Sequence, residues 1–467
     1  MFTPLFGLIE RTSQGVDEGI EPATENLPAP PPAITPASFA SAAKRPAAIA
    51  LLWVIVFLQI RTICVQMPRQ ASSWDFSVYY LSAQVLKRGL NPYQTGIQAL
   101  ARQSGMDVGD VYRPGHPPTF LLLMRPLAAM PERQAYYLWQ AFNAVLLAAS
   151  LALLIAPSPG VSRADLLVMA ALALLYAPVR VHFFFAQSNI VILFLLVLMM
   201  KSMARGHERG AGLCLAAAGL LRIFPLLLMG YLAIRRRWRA LGWTLIGLAA
   251  GGLVTIGFVG LQTSLSFLPI TAYLTSQPFL SMHGNIALAA VVSRAFWVLL
   301  GPNLGPAANL VRHAVIAAGA AVILGLTIRA TFVQEPDADS DWRAFSMWIA
   351  ASIVLSPTAW VHYMVLFFIP FAQLVSAARR SAASIRAQWM AIFSYALMIL
   401  TMAFLPPAGI SGAELSRTGM PWVNAIAIEG WFVSAFLGYW ATYWFTVDRG
   451  LIQPSWGKPR DLGRIVA

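Results

Sequence analysis

The sequence predicts an all-α polytopic membrane protein, and three observations carry that reading. Of 467 residues, 58% are hydrophobic and only 11% charged, whereas a soluble domain carries about 25% charged residues. Apolar runs of about twenty residues, long enough to cross a bilayer as a helix, recur along the chain. Lys and Arg outnumber Asp and Glu by 33 to 19, a net charge of +14, and they gather at the ends of the apolar runs as the positive-inside rule requires. A soluble multidomain enzyme is excluded, and the charge excess reports topology rather than nucleic-acid binding. Cys64 and Cys214 lie in apolar segments without metal-ligand spacing, so no disulfide framework is expected.

Residues 1–43 hold a small acidic cluster (Glu10, Asp17, Glu18, Glu21, Glu25) and the stretch LPAPPPAITPASFASAA. Pro and Ala without apolar periodicity cannot bury a core, so this segment reads as a disordered cytoplasmic tail. The opening MFTPLFGLIERTS lacks the charged n-region and long apolar stretch of a signal peptide. The first apolar run, 46–65, follows Lys44 and Arg45, which places the N-terminus in the cytoplasm. Lys201, Arg205 and Arg209, then 235–239, then Arg379, Arg380 and Arg386 are expected on that same side.

An even number of crossings must then separate the tail from Lys201, and the runs 46–65, 134–156, 164–182 and 189–204 supply them. The short run 119–130 is interrupted by Arg125 and Pro126 and reads as re-entrant. Residues 210–234 begin and end beside cytoplasmic clusters. The break Arg222-Ile223-Phe224-Pro225 resolves them into two half-helices meeting near the outer face, because proline removes an internal hydrogen bond. Further spans are expected at 239–261, 307–332, 344–358, 363–378, 387–405 and 425–447, with 284–301 an outer-side segment. The transmembrane domain is therefore 44–447, with about ten full crossings plus one hairpin, a bundle of about ten to twelve helices. Residues 448–467, with Lys458, Arg460 and Arg464, form a second cytoplasmic tail.

The longest non-apolar loop is the first outer one, 66–118. Phe76, Tyr79, Tyr80, Ala83 and Leu86 share one helical face there, and Ser77, Gln84, Lys87 and Arg88 lie largely on the other. This pattern predicts an amphipathic helix in the membrane interface, stopped at Lys87-Arg88-Gly89-Leu90-Asn91-Pro92. Asp75 at its start has two compatible readings, a helix N-cap and a general base. Other acids on that side are Asp107, Asp110, Glu414 and Glu429, the first two in a stretch that reads as solvated loop.

Polar residues set in aromatic or apolar sequence fall on the same side. They are Tyr112, Arg113 and His116; His182, Gln187, Ser188 and Asn189; Arg222; His283 and Asn285; and His362 and Tyr363. One such His or Tyr is ordinarily an interfacial anchor, but their convergence points to a site. Arg222 is costly in an apolar helix unless paired, and with no acid nearby in sequence an anionic lipid headgroup would serve. A carboxylate, cations and amide or hydroxyl side chains around an outer cavity suit a reaction on a lipid phosphate. The cation would stabilise the departing phosphate while the carboxylate takes the attacking hydroxyl's proton. No P-loop or dinucleotide fingerprint is present, so nucleotide-driven transport finds no support. Nucleotide sugars are also lacking on the outer side, so the donor of a group transferred there would have to be lipid-linked.

These motifs resemble glycosyltransferase family 87 of the GT-C superfamily, which includes polyprenol-phosphate-mannose-dependent mannosyltransferases. The resemblance spans about 46–378 and is strongest over Asp75-Phe76-Ser77-Val78-Tyr79-Tyr80 through Gly89-Leu90-Asn91-Pro92-Tyr93. Tyr112 to Pro118 follows, then Ala186-Gln187-Ser188-Asn189, Gly212 to Pro225 with Arg235-Arg236-Arg237-Trp238, and Ser356-Pro357 to His362-Tyr363. It implies a GT-C-type bundle that transfers a sugar, expected to be mannose, from a polyprenyl phosphate by an inverting, metal-independent route with no cofactor. Asp75 maps to the base. Arg222 maps to the donor phosphate, with Arg113 and Lys87 beside it. Tyr79, Tyr80, Tyr112, His116, Gln187, Asn189, Asn285 and His362 would contact sugar or acceptor.

The partners implied are the lipid-linked donor, a glycolipid or glycan acceptor and membrane lipids. The expected location is the inner cell membrane, multi-pass, with the site on the periplasmic side. Three departures stand out: Arg222 replaces a lysine, Ala186 replaces a glycine, and the residue before His362 is valine where an acid is common. The competing reading is a lipid or small-amphiphile transporter or flippase, which calls for paired broken helices in two halves; one broken pair is evident, at 210–234. A non-catalytic scaffold is the third reading.

Overall fold

A computed structural model describes residues 44–70, 74–106, 108, 113–155, 162–276, 279, 280, 282, 284–301, 303–332, 338–379, 385–404 and 421–447. Both expected tails, together with Asp107, Asp110, Tyr112, His283, Arg380 and Glu414, lie outside these residues. The described residues from 49 onward form one compact unit. Among the described residues there is no strand, only an antiparallel bridge between Asn285 and Trp360.

Helix α1 (Lys44–Gln70) covers the first apolar run and leads to α2 (Trp74–Lys87) and the short helices α3 (Pro92–Thr95) and α4 (Gln98–Ser104). The run read as re-entrant is α5 (Pro118–Met124) and a 3-10 turn at Leu127–Ala129, divided at Arg125 and Pro126. A long α6 (Glu132–Ile155) precedes α7 (Arg163–Leu175) and α8 (Ala177–Phe184), which are bent by 52° relative to each other. Next come α9 (Asn189–Ala204), α10 (Glu208–Leu221), a 3-10 turn at Phe224–Leu227 and α11 (Leu228–Ile234). The expected break between half-helices therefore falls at Arg222 and Ile223, where Arg222 is extended. The remainder is α12 (Trp238–Val259), α13 (Leu261–Leu265), α14 (Leu268–Leu274), α15 (Leu288–Leu300), α16 (Pro306–Phe332) and α17 (Ala338–Val354). A 3-10 segment, Val361–Phe367, then runs into α18 (Phe368–Arg379), followed by α19 (Ile385–Phe404) and α20 (Pro421–Val447).

Side chains such as Phe57, Leu253, Leu310 and Val298 are 64%, 70%, 71% and 84% exposed. A water-facing surface does not carry apolar exposure on this scale, and a bilayer does. The chain is a helical membrane protein. Among the described residues five helical stretches are long and apolar enough to cross: Pro46–Val65, Glu132–Ile155, Trp238–Val259, Pro306–Phe332 and Val361–Ala378. The bent α7–α8 pair makes a sixth if counted as one span. Helix α9, expected as a full crossing, has 16 residues, which gives about 24 Å and falls short of the roughly 30 Å hydrocarbon core.

The basic clusters collect at one end of the bundle. Arg235 pairs with Asp341 at 3.3 Å, and Arg237 reaches both Asp341 and Glu208. Lys201 lies over Trp342, Arg343 over Phe445 and Arg386 over Trp444. Helix α10 packs against α12 with little room between backbones. A Cβ on Gly212 would stand 2.7 Å from the Trp243 Cβ and 2.9 Å from the Thr244 nitrogen, and one on Gly247 would stand 2.6 Å from the Ala216 Cβ. Small residues at such a crossing let dispersion contacts hold helices together where lipid removes the hydrophobic drive.

One element differs from expectation. Helix α2 does not lie on the surface with a polar face in water. Phe76, Ser77, Tyr79, Leu81, Ser82 and Ala83 are all buried, and exposure begins only at Lys87. It packs on α5 and the turn at 127–129. Serine is small enough to be enclosed, so the face read as polar is covered at Ser77, half-buried at Gln84 and open only from Lys87.

Candidate active site

The site lies at the end of α9 and α10 opposite to the basic clusters. Asp75 is the second residue of α2. Its carboxylate accepts from Gln187 Nε2, so it faces into the molecule. Gln187 and Ser188 come from the tight turn between α8 and α9. That turn places Ala186 at φ +49°, and α6 locks it: Trp139 Nε1 donates to the Ala186 carbonyl at 2.8 Å and Gln140 Nε2 to that of Phe183 at 2.6 Å. Arg222 leaves the end of α10, and Tyr363 sits in the 3-10 segment before α18.

These groups form one array. Arg222 donates through Nε to Ser188 Oγ at 3.2 Å, through Nη1 to the Tyr363 hydroxyl at 2.8 Å and through Nη2 to Gln187 Oε1 at 2.9 Å. Its guanidinium carbon lies 5.4 Å from the Tyr363 ring centre. Among the described residues no acid pairs with it directly; Asp75 is reached through the Gln187 amide. Although Asp75 is only half-buried over its whole surface, its carboxyl lies inside. Loss of water pushes that carboxyl from 3.8 up to about 6, against the pull of the Arg222 charge and the Gln187 hydrogen bond.

Among the described residues, several buried polar side chains around the array have no hydrogen-bond partner. The His116 ring sits 4.5 Å from Tyr79 and 4.4 Å from Phe120, centre to centre, and neither ring nitrogen has a hydrogen-bond partner. Burial, reinforced by the Arg222 charge, holds this imidazole well below 6.5 and therefore neutral. His182 is fully buried, with Nε2 3.2 Å from Asn143 Oδ1, while Nδ1 is unpartnered. Asn143 spends its own N–H on the Trp139 carbonyl, so its oxygen accepts from His182 Nε2–H. His362 Nε2 and both amide atoms of buried Asn189 also lack partners. An unmet buried polar group costs about 1–3 kcal/mol; several in one place mark where a polar ligand would bind.

Not every residue predicted for the site joins it. Tyr80 turns away and donates to the Met130 carbonyl at 2.8 Å. Asn285 is consumed by the backbone: its oxygen accepts from Ala287 and Ala359 and its amide donates to the Phe279 carbonyl. It holds the segment leading to His362 rather than a ligand. Lys87 is exposed at the far end of α2, about 18 Å from Asp75 along the axis at about 1.5 Å per residue. Arg113 is exposed. Glu429, an expected outer acid, is paired with buried Arg294 at 2.8 Å. Asp75 is inside the first turn of its helix, not ahead of it. Ser188, Tyr363 and His182 stood in the predicted motifs without a role; their aromatic or amide neighbours were the signal.

Residues 116–357, more than half the chain, match the profile of glycosyltransferase family 87. The chain belongs to glycosyltransferase family 87. No curated protein matches it significantly. A family-87 protein is a membrane glycosyltransferase and takes a sugar donor and an acceptor. In this family-87 chain the matched stretch contributes His116, Gln187, Ser188 and Arg222, whereas Asp75 and Tyr363 reach the array from either side of it.

The left-handed turn at Ala186 gives a first test. Ala186→Gly is expected to leave activity and melting temperature near wild type. Relief of about 1–2 kcal/mol of left-handed strain offsets about 0.8 kcal/mol of lost methyl burial and the greater backbone freedom of glycine. Ala186→Val should lower the melting temperature clearly, because a branched side chain is an outlier at positive φ. A thermal melt of the two variants decides it; equal melting temperatures would mean the turn is not strained.

Proposed function

We propose that this family-87 chain transfers a sugar, expected to be mannose, from a polyprenyl phosphate to a hydroxyl of a glycolipid or glycan on the outer face of a cell membrane. Asp75 takes the acceptor hydroxyl's proton as the oxygen bonds to the sugar's C1. The bond from C1 to the phosphate oxygen breaks, its electron pair leaves with the polyprenyl phosphate, and Arg222 receives the charge that develops there. Attack opposite the leaving group inverts C1, and the guanidinium does the electrostatic work a metal would otherwise do.

The observation that carries this reading is the Asp75–Gln187–Arg222 array, which unites a buried carboxylate and a cation from distant parts of the sequence. Three of the Arg222 N–H groups are engaged, one on each nitrogen. The second hydrogens of Nη1 and Nη2 stay available for a phosphate, the pairing for which arginine is suited. The unpartnered nitrogens of His116, His182 and His362 and the Asn189 amide match the mixed donors and acceptors of sugar hydroxyls. The basic clusters at the opposite end favour a cytoplasmic placement of that end and of both termini. Among the described residues, four shorter apolar helices join the five or six stretches long enough to cross, and we assign them to a GT-C-type bundle of about ten to twelve helices.

Purified protein incubated with polyprenyl-phosphate-mannose and a membrane lipid extract should consume the donor, release polyprenyl phosphate and yield a mannose-bearing product by mass spectrometry. Turnover only with a donor carrying another hexose would overturn mannose and keep the reaction class. No turnover with any polyprenyl-phosphate sugar would overturn the reading.

A further inference from the structure

The position of Gln187 fits neither of the simple roles open to it, sugar ligand or packing residue. Its side chain is 2% exposed and both ends are occupied, the NH2 by the Asp75 carboxylate and the oxygen by Arg222 Nη2. A carboxylate only accepts and a guanidinium only donates, so the amide can bridge them in one orientation alone. The turn behind it is fixed by the Gln187 backbone N–H to the His182 carbonyl at 3.1 Å and by Trp139 on the Ala186 carbonyl. A carboxylate and a guanidinium this close would otherwise form a bidentate ion pair. Among the described residues no ion pair joins Asp75 to Arg222.

We propose that Gln187 is a positioning residue that insulates the base from the phosphate-binding cation, keeping Asp75 free to take a proton and Arg222 free to hold an anion. This rests on the roles given above to Asp75 and Arg222. Direct pairing would spoil both: Asp75 would become a weaker base, and Arg222 would spend its remaining N–H groups on the carboxylate. A neutral amide transmits geometry without neutralising either charge. The high basicity of the Asp75 carboxyl agrees, since burial outweighs the Arg222 charge only while the two are held apart. The titratable and charged groups around the carboxyl are Arg222 at the end of α10, Tyr79 on α2 itself and Tyr363 before α18. Beyond Arg222 stand His116 ahead of α5, His182 on α8 and His362 beside Tyr363.

The direction of a pH shift tests the idea. The acid limb of kcat/KM reports the base in the free enzyme. Gln187→Leu removes the bridge, and insulation predicts that Asp75 then pairs with Arg222. The acid limb should move to lower pH, kcat should fall about a hundred-fold, and KM for polyprenyl-phosphate-mannose should rise about ten-fold. A residue that merely donates a hydrogen bond to the carboxylate predicts the opposite shift, because losing that bond disfavours the charged form. In the double variant Gln187→Leu/Arg222→Ala no cation is left to pair, so the downward shift should vanish. An upward or absent shift in Gln187→Leu, in protein whose melting temperature matches wild type, overturns the insulation. If Gln187→Leu melts early, Gln187→Glu supplies the same test: insulation predicts that its carboxylate captures Arg222, raising donor KM while the limb moves up by like-charge repulsion. An unchanged donor KM there overturns the proposal. Failure of the underlying roles shows elsewhere, as an Asp75→Asn enzyme that keeps its rate or an Arg222→Ala enzyme that keeps its donor affinity.

Discussion

Asp75→Asn is expected to cost about 10²–10⁴-fold in transfer, the usual share of a general base, while leaving the protein folded. The amide keeps an oxygen to accept the Gln187 N–H, so the array can persist, but it cannot take a proton. Two further readouts separate loss of the base from general damage. In the wild type, kcat/KM should fall as pH drops below about 6, where the Asp75 carboxyl becomes protonated, and the residual rate of Asp75→Asn should lack that limb. The sign for stability is the reverse of that for a salt-bridged carboxylate. A carboxyl whose folded value is raised from 3.8 to about 6 destabilises the fold progressively as pH rises between those values. Asp75→Asn should therefore melt no lower than wild type at pH 7 and lose any advantage by pH 4. Full activity in this variant would remove the base assignment.

What could be read in the sequence follows from how local each signal is. The break at Arg222 and Pro225, the interruption at Arg125 and Pro126, and the boundaries of α6, α12 and α16 depend on proline chemistry and apolar run length. They were legible to within a few residues. Asp75, Gln187 and Arg222 were legible as separate candidates because a charged or amide group in apolar sequence needs a reason. Their mutual arrangement was not. The link between Asp75 and Gln187 spans 112 positions and that between Arg222 and Tyr363 spans 141, and no periodicity encodes such pairings. Helix α2 misled because helical spacing shows which residues share a face but not whether a second layer covers the polar one. Tyr80 and Asn285 misled for a related reason: a buried hydroxyl or amide is as readily satisfied by a carbonyl of its own chain as by a ligand.

Arg222→Ala should weaken the enzyme through the donor. Charge-assisted hydrogen bonds contribute about 1.5–3 kcal/mol each, so losing the two available to a phosphate is expected to raise the donor's KM by about a hundred-fold or more. The acceptor's KM should change little. The same variant should move the acid limb of kcat/KM upward, because the Arg222 charge lowers the Asp75 carboxyl and its loss leaves burial unopposed. Arg222→Lys retains the charge, so the limb should stay near its wild-type position. A single ammonium cannot reach Ser188, Tyr363 and Gln187 in the directions the planar fork does, so its donor KM should fall between alanine and wild type. The phosphate assignment fails if Arg222→Ala binds polyprenyl-phosphate-mannose as tightly as wild type. A donor KM that rises equally in Ala and Lys variants would instead make the fork geometry, rather than the charge, the property that holds the phosphate.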